Sequence, residues 1–197
     1  MELSVQKFYN SNSKRFSQTR YSVWESVKKF NDKININTKI LDAGCGNGKN
    51  MIYFQNKGHI VKGIDFSNNL LKICEDKNLD VKHSDIRYLP FNDNEFDNTI
   101  SIAVIHHLST HQDRINAINE LIRVTKPNGK ILITVWAIEQ EEHSRRKFKL
   151  GDNIVPFEDS IRYYHIFNET TFLDLIKHFN IEEYFWEKGN WNVIIKS

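Results

Sequence analysis

The chain has 197 residues, of which 26% are charged, and its formal net charge is +2. This length predicts one α/β domain with a full core that spans residues 1–197. So small a net charge excludes a general basic field, so any nucleic-acid contact must come from local patches. No apolar run approaches a membrane span and the N-terminus lacks a secretion signal, so no membrane association is expected.

The two cysteines, Cys45 and Cys74, have neither metal-ligand spacing nor the pattern of a disulfide framework. They predict a reducing, cytoplasmic setting and no metal site. A nuclear pool is left open.

The first 31 residues precede the first strand and are predicted to form a lid and a helix. Val23, Val27 and Phe30 recur at helical spacing, which predicts a helix over Tyr21–Phe30. Polar groups lie between the aromatic residues ahead of it, a composition that favours a lid with substrate contacts. Arg20 is the leading candidate for such a contact. The alternative is a solvated surface arginine.

The segment Lys39–Gly48 predicts a buried strand, a glycine turn and the start of a helix. Gly44, Gly46 and Gly48 alternate, and Asp42 stands two positions ahead of them. This spacing differs from the dinucleotide fingerprint and resembles motif I of class I S-adenosylmethionine-dependent methyltransferases. The resemblance implies that these residues bind S-adenosylmethionine, with Asp42 pairing its ammonium group. The alternative is an ordinary glycine turn.

Two further acids follow at the ends of predicted strands. His59–Ile64 predicts a second strand that finishes at Asp65, whose carboxylate can accept both ribose hydroxyls of a nucleoside. Ser67 predicts an N-cap, and Val81 begins a short third strand. Asp85 and Ile86 follow at the place where class I enzymes bind the adenine amine. The alternative for Asp85 is a solvated loop residue.

Phe96–Val104 predicts the fourth strand, and the resemblance assigns Ala103 near its end to the cofactor site. His106 and His107 come next. Adjacent side chains project in different directions, so they are poor candidates for chelating one metal. One histidine, His107 in our prediction, is placed to touch a substrate and the other is structural. Thr110 predicts the next helix start, Pro127 its end, and Lys130–Trp136 a fifth strand.

The rest of the chain predicts a substrate-side insertion over 140–166, a helix capped by Asn168 and a closing hairpin. The charged stretch Glu141–Lys149 is predicted to form an exposed loop or a helix on the cleft side. Strands that alternate with helices predict a doubly wound, mainly parallel, seven-stranded sheet with an antiparallel C-terminal hairpin.

Several longer stretches narrow the family. Their sequences are Phe16-Ser17-Gln18-Thr19-Arg20-Tyr21, Ser101-Ile102-Ala103-Val104-Ile105-His106-His107-Leu108, Val135-Trp136-Ala137 with Glu139-Gln140, and Arg162-Tyr163-Tyr164-His165. Together they look like the tRNA wobble-uridine methyltransferases, which convert 5-carboxymethyluridine to its methyl ester. The same domain occurs in the AlkB-homologue fusion enzymes. Phe157, Ile64 and Asn128 depart from the usual family residues.

The reaction implied by this resemblance suits the candidate residues. A carboxylate nucleophile is ionised near neutral pH and needs no general base. It does need donors that hold it, and Arg20, Arg162 and His107 are the candidates, with Tyr164 or His165 as helpers. Basic side chains are expected to meet the anticodon-stem phosphates of the tRNA, and these are Arg145, Arg146, Lys147 and Lys149 with Lys14 and Arg15.

The resemblance also implies a partner, a small zinc-binding methyltransferase activator subunit. The third strand, near Leu79–His83, should lie at an open edge of the sheet. An apolar face is expected beside it, from Phe66, Leu70, Ile73 and Cys74. Two other functions remain open at this stage: a methyltransferase of a small molecule, and a non-catalytic cofactor-binding scaffold.

Overall fold

A computed structural model describes residues 2–19, 22–144, 147–157 and 160–197. The helices are α1 (Glu2–Thr19), α2 (Glu25–Asn31), α3 (Lys49–Asn56), α4 (Asn68–Glu75), α5 (His111–Val124) and α6 (Glu169–Ile176). The strands are β1 (Lys39–Ala43), β2 (Ile60–Asp65), β3 (Val81–His83), β4 (Phe96–Ile102), β5 (Thr125–Trp136), β6 (Gly151–Phe157), β7 (Ser160–Ile166), β8 (Ile181–Glu187) and β9 (Asn190–Lys196). None of the helices in these ranges is long and apolar enough to cross a membrane.

Seven strands form one sheet in the order β3-β2-β1-β4-β5-β9-β8. The first five are parallel, whereas β9 runs antiparallel to both β5 and β8. The predicted mainly parallel sheet and its closing hairpin are therefore confirmed. Strands β6 and β7 pair separately as an antiparallel hairpin within the segment predicted as an insertion.

The core lies on both faces of the sheet. Successive side chains of a strand point to opposite faces, so Ile40 and Leu41 of β1 enter different apolar clusters. The Leu41 cluster includes Leu121 of α5 and Phe172 of α6, and the Ile40 cluster includes Phe54 of α3. The central strands β1 and β4 are covered on both sides, which is why they are buried along nearly their whole length.

Helix starts follow the predicted caps. The Ser67 hydroxyl accepts the N–H of Leu70, and the Thr110 hydroxyl accepts the N–H of Asp113 at 3.0 Å. Asn168 begins α6 with a reciprocal capping box. These side chains satisfy N–H groups that the first helical turn leaves without partners.

Several predicted boundaries of elements are wrong, among them the start of β5, which lies at Thr125 and not at Lys130. The helix predicted over Tyr21–Phe30 is α2, which begins only at Glu25 because Trp24 is extended. The fourth strand stops at Ile102, since Ala103 adopts a left-handed φ of 60°. Helix α5 ends at Val124, ahead of Pro127, because Thr125 is already extended and pairs with Phe96.

The open edge predicted at the third strand is confirmed, since β3 is the first strand of the sheet and pairs with β2. The apolar face predicted beside it is wrong for Leu70 and Cys74. Both side chains are buried in the domain, at 2% and 0% exposure. Helix α4 uses its apolar stripe to cover the sheet.

Candidate active site

A cavity of about 200 Å³ opens at the carboxyl ends of the parallel strands. Ligands of open α/β sheets bind at this edge, where the turns after the strands leave a crevice. Nine predicted site residues line it, namely Gly44, Gly46, Asp65, Asp85, Ile86, Ala103, His107, Arg162 and Tyr164. The structure thus brings together residues from turns and strands that are separated along the chain.

Two glycines of the loop after β1, Gly44 and Gly48, have no room for a side chain. Gly44 has a φ of +92°, and a Cβ there would lie 2.2 Å from Cγ2 of Val104. Gly48 has a φ of +78°, and its Cβ would lie 2.2 Å from Cδ1 of Leu79. Gly44 and Gly46 line the cavity, but Gly48 does not. The cofactor contact predicted for Gly48 stays a prediction, and the structure shows that a glycine is needed there for the loop to pack on Leu79.

Asp65 stands at the tip of β2 and faces the cavity. Its Oδ2 accepts the N–H of Gly46 at 2.9 Å, and its Oδ1 accepts the N–H of Ser67 at 2.8 Å. Burial raises the pKa of this carboxyl, and the backbone N–H groups act in the opposite direction. Each oxygen keeps a second lone pair, so the carboxylate is held in place and can still accept hydroxyl donors.

Asp42 is fully buried behind the loop and does not line the cavity. The pairing of Asp42 with a ligand's ammonium stays a prediction. Neither carboxylate oxygen has a hydrogen-bond partner among the described residues. Burial and, second, the Asp65 carboxylate raise the pKa of Asp42 to about 7. Each of these two acids makes ionisation of the other less favourable, so a cation beside them would stabilise both carboxylates. A ligand that carries a sulfonium and an ammonium group would supply that positive charge.

Asp85 begins a chain of ion pairs along the cavity wall. Arg87 donates to it from Nη2 to Oδ2 at 2.6 Å and from Nε to Oδ1 at 3.0 Å. The remaining arm of Arg87 donates from Nη1 to Oδ1 of Asp113 at 3.0 Å. Asp85 is therefore not the solvated loop residue of the alternative interpretation. The fork geometry fixes its carboxylate against the cavity.

Ala103 closes the opposite wall in a conformation that residues with a Cβ seldom adopt. Its N–H donates to the Thr134 hydroxyl at 2.9 Å, which holds the chain there as it leaves β4. Ile86, only 6% exposed, contributes an apolar surface beside Asp85. Strained backbone of this kind persists where the surrounding structure imposes it, and it clusters at functional sites.

Both histidines after β4 line the cavity, and each has a defined tautomer. Nδ1 of His107 lies 2.8 Å from the carbonyl oxygen of Tyr163, so Nδ1 carries the hydrogen and Nε2 accepts from the Tyr9 hydroxyl at 3.0 Å. Burial lowers the pKa of His107 to about 4. The predicted role of His107 as a cationic or donor group is therefore wrong, because the ring is neutral and its second nitrogen accepts.

Arg162 and Tyr164 supply the substrate side of the cavity from β7. The guanidinium of Arg162 lies 4.5 Å from the Phe8 ring centre and 5.4 Å from that of Tyr164. The Tyr164 ring stacks on Trp136 at 4.3 Å with an interplanar angle of 8°. The aromatic rings hold the guanidinium as a cation at the cavity, and a guanidinium suits a planar anion.

His165 does not belong to this site. Its neighbours Tyr164 and Arg162 face the cavity, and strand alternation turns His165 to the other side of β7. There Nδ1 lies 2.7 Å from Oδ1 of Asp152, which also accepts the Tyr163 hydroxyl at 2.7 Å. The helper role predicted for His165 is therefore wrong.

The remaining predicted contacts either fall on residues that the structure does not describe or lie away from the cavity. Arg20, Arg145 and Arg146 lie outside the described residues. Lys147 and Lys149 are exposed and do not line the cavity, although Phe148 between them packs against Trp136 at 5.3 Å. No group of three His, Cys, Asp or Glu side chains that could hold a metal occurs in the described ranges.

The lid over the cavity is helix α1, which the sequence patterns did not predict as a helix. Val5 and Tyr9 of α1 line the cavity, as does Trp24. The sequence indicates Phe8 and Tyr9 only as aromatic residues of a lid segment. Arg87 was missed altogether, although a basic residue two positions after Asp85 could have indicated an ion pair.

Comparisons with known proteins agree with this geometry. A family model described as a methyltransferase domain matches residues 41–133. The tRNA (carboxymethyluridine(34)-5-O)-methyltransferase of Arabidopsis thaliana is 46% identical over 140 residues, which are 71% of this chain and 34% of the plant protein. A putative methyltransferase of Encephalitozoon cuniculi is 35% identical over 185 residues, which are 88% of this chain and 85% of that protein. The chain thus spans about a third of the plant relative.

Solved structures share the fold at lower identity. A Burkholderia thailandensis 1,6-didemethyltoxoflavin-N1-methyltransferase with bound S-adenosylhomocysteine has a TM-score of 0.74 at 16% identity and covers 99% of this chain and 88% of its own. A Haloferax volcanii putative methyltransferase in complex with the Trm112 activator also has a TM-score of 0.74 at 16% identity, with 98% and 97% covered.

The sheet order, the glycine loop and the acid at the tip of β2 define the class I, S-adenosylmethionine-dependent methyltransferase fold. The Arabidopsis and Encephalitozoon proteins are each more than 30% identical to this chain over most of its length, so they are relatives in sequence as well as in fold. The chain belongs to a family of methyltransferases that includes the Encephalitozoon relative, and over 71% of its length it is similar to the tRNA (carboxymethyluridine(34)-5-O)-methyltransferase of Arabidopsis thaliana.

Proposed function

We propose that the protein transfers a methyl group from S-adenosylmethionine to the carboxylate of 5-carboxymethyluridine at the wobble position of tRNA. The product is the methyl ester. The name of the Arabidopsis relative supports this substrate, and the cavity supports the chemistry. Because the chain matches about a third of that relative, the activity stands here as a proposal.

The placement of Arg162 carries the proposal. Its guanidinium shares one cavity with Asp65, so a carboxylate site and a nucleoside site face each other. Arginine's planar fork binds carboxylates in a bidentate manner. Arg20 is proposed to assist from the N-terminal segment, and Tyr164 is proposed to shape the wall behind the substrate.

The cofactor supplies the electrophilic methyl group. Asp65 is proposed to bind the ribose hydroxyls, and Asp85 and Ile86 are proposed to bind the adenine. The small residues Gly44, Gly46 and Ala103 are proposed to let the cofactor come close to the backbone. Asp42 acts through its charge from behind the loop. The substrate carboxylate is ionised at neutral pH, so neutral His107 need not remove a proton and instead holds the Tyr9 hydroxyl. Orientation of well-placed groups supplies on the order of 7–11 kcal/mol in such reactions.

Two surfaces outside the cavity are proposed to contact macromolecules. Exposed Lys147 and Lys149, with Arg145 and Arg146, are proposed to meet tRNA phosphates. The β3 edge is proposed to accept a zinc-binding activator subunit by strand addition. The Haloferax neighbour, solved with the Trm112 activator, is consistent with such a partner. Co-expression and co-purification test this assembly.

The methyl transfer itself is tested with radiolabelled S-adenosylmethionine and tRNA that carries either 5-carboxymethyluridine or unmodified uridine at the wobble position. We expect label only in the first tRNA, in a base-labile ester. Arg162→Gln should lower kcat/KM on the order of 100-fold and preserve cofactor affinity, because it removes only the anion-binding fork.

Asp65→Ala is the complementary variant, since it should weaken S-adenosylhomocysteine binding by about 1.5–3 kcal/mol in calorimetry. Label that appears in unmodified tRNA, or full turnover by Arg162→Gln, would contradict the proposed substrate.

A further inference from the structure

Helix α1 has two chemically different faces. Its outer face exposes Lys7, Lys14 and Arg15, which recur at i, i+7 and i+8 and therefore lie along one stripe. Apart from Glu2 at its start, the helix contains no acidic residue. Lys7 and Lys14 form no ion pair with a described residue. The outer face is thus a concentrated positive charge on a protein whose net charge is only +2.

The inner face of α1 closes the cavity, with Val5 and Tyr9 in its lining and Phe8 buried against Arg162. Much of its attachment is polar. The Tyr9 hydroxyl reaches Nε2 of His107 at 3.0 Å, and Gln6 donates to the Phe66 carbonyl at 2.8 Å.

Further hydrogen bonds join α1 to the start of α4. The Ser67 hydroxyl donates to Oδ1 of Asn10 at 2.7 Å, and Nδ2 of Asn69 donates to the Asn10 carbonyl at 2.8 Å. Hydrogen bonds that water can replace contribute little net stability, so the free-energy cost of opening α1 comes mainly from exposing the buried Phe8 ring. Helix α1 covers part of the cavity through Val5 and Tyr9.

From these two faces we propose that α1 is a lid that RNA closes. The phosphate backbone of the RNA binds Lys7, Lys14 and Arg15 on the outer face, and this contact holds the inner face on the cavity. The cofactor is then retained while RNA is bound. The inference rests on the proposed function for the identity of the RNA as tRNA. Phosphates are the occupant because the stripe offers three cations, whose charge is complementary to that of an RNA backbone.

Coupling of this kind must be reciprocal, because a ligand that favours the closed lid tightens every ligand bound beneath it. Bound tRNA should therefore slow the release of S-adenosylhomocysteine. Bound S-adenosylhomocysteine should in turn tighten tRNA. Charge-mediated closure should fade as salt rises, since counterions compete for the phosphates.

The experiment measures the dissociation rate of S-adenosylhomocysteine in stopped flow, with and without tRNA, on the full chain. For the unaltered protein we expect tRNA to slow release on the order of tenfold. The double variant Lys7→Gln/Lys14→Gln should bind the cofactor product normally without RNA and should lose most of the slowing. Hydrogen exchange of residues 2–19 should show tRNA-dependent protection that the variant lacks.

The matched control is Lys57→Gln/Lys196→Gln, which removes two exposed lysines from the opposite end of the sheet. It should retain the full effect of tRNA. Equal release rates with and without tRNA, or full slowing in Lys7→Gln/Lys14→Gln, would contradict the proposal that RNA closes α1. The slowing does not require methyl transfer, so a closing lid without ester formation would refute the proposed reaction and keep the lid. Ester formation without slowing would do the reverse.

Discussion

The two halves of the cavity are built differently. The cofactor half comes mainly from consecutive turns between Gly44 and Arg87, each placed by the strand before it. The substrate half joins α1, the turn after β4, Trp136 and β7, which are far apart in the chain. The first half depends on local backbone geometry and the second on contacts between distant elements. The two halves should therefore respond differently to mutation.

The largest effect is expected for a change that violates the backbone geometry of the cofactor half. Gly44→Ala puts a methyl group 2.2 Å from Val104, in a left-handed conformation. We expect the strain of that conformation, about 1–2 kcal/mol, together with a further 1–3 kcal/mol of overpacking. Urea denaturation measures the loss.

Gly151→Ala is the matched control, since Gly151 also has a positive φ of +82° but a Cβ added there would meet nothing within 4 Å. It should lose only the conformational part. Equal losses for the two variants would show that the contact with Val104 does not limit the loop.

The second effect concerns the buried acid behind the loop. Asp42 has a pKa of about 7 in the fold against an ordinary 3.8, so the cofactor-free protein should lose stability as pH rises between these values. Asp42→Asn removes the ionisation and should stabilise the cofactor-free protein above pH 7 by roughly 3–4 kcal/mol. Binding of the cationic cofactor should weaken.

Thermal unfolding from pH 4 to 8 measures the change in stability, and the same experiment with S-adenosylmethionine measures the change in cofactor binding. The Asp65 carboxyl, whose pKa is also raised, keeps its own pH dependence in the variant. A variant whose pH slope matches that of the unaltered protein would mean that Asp42 is not a buried carboxylate.

The smallest expected effect concerns His165, which lies on β7 just outside the substrate half of the cavity. His165→Ala removes a hydrogen bond to Asp152 on the far side of β7, which should cost about 1 kcal/mol of stability. Turnover on carboxymethylated tRNA should stay within about twofold. Tyr164→Ala, one residue earlier, removes the ring stacked on Trp136 and should impair turnover strongly. Equal kinetic losses at both positions would contradict the alternation along β7.

Local patterns predicted much of the cofactor half. Alternating glycines after an apolar strand indicated the loop, and Asp65 was predicted at the end of the strand that begins at His59. Gly48 shows the limit of this reasoning, because its spacing is that of a ligand-binding glycine while its surroundings include Leu79 from another element. Spacing indicates where the backbone must turn and does not indicate what packs against the turn.

In the substrate half, the sequence indicated residue types but not their states. Arg162 and His107 were both predicted as groups that hold a carboxylate. Of these two residues Arg162 is the cation, since burial lowers the pKa of His107 to about 4 although its hydrogen bond to the Tyr163 carbonyl acts in the opposite direction. His165 was assigned by proximity in sequence to Tyr164, and strand alternation placed it on the other face.

The sequence by itself determined the parallel sheet, the succession of its strands along the chain, the glycine loop, the helix caps and the family. These depend on residues within a few positions of one another, where propensity and periodicity act directly. Only the tertiary structure decided that α1 covers the cavity, that Arg87 holds Asp85, and which histidine nitrogen carries a hydrogen. Those features depend on burial and on partners from distant parts of the chain, because hydrogen bonding and charge state are set by the surroundings of a side chain.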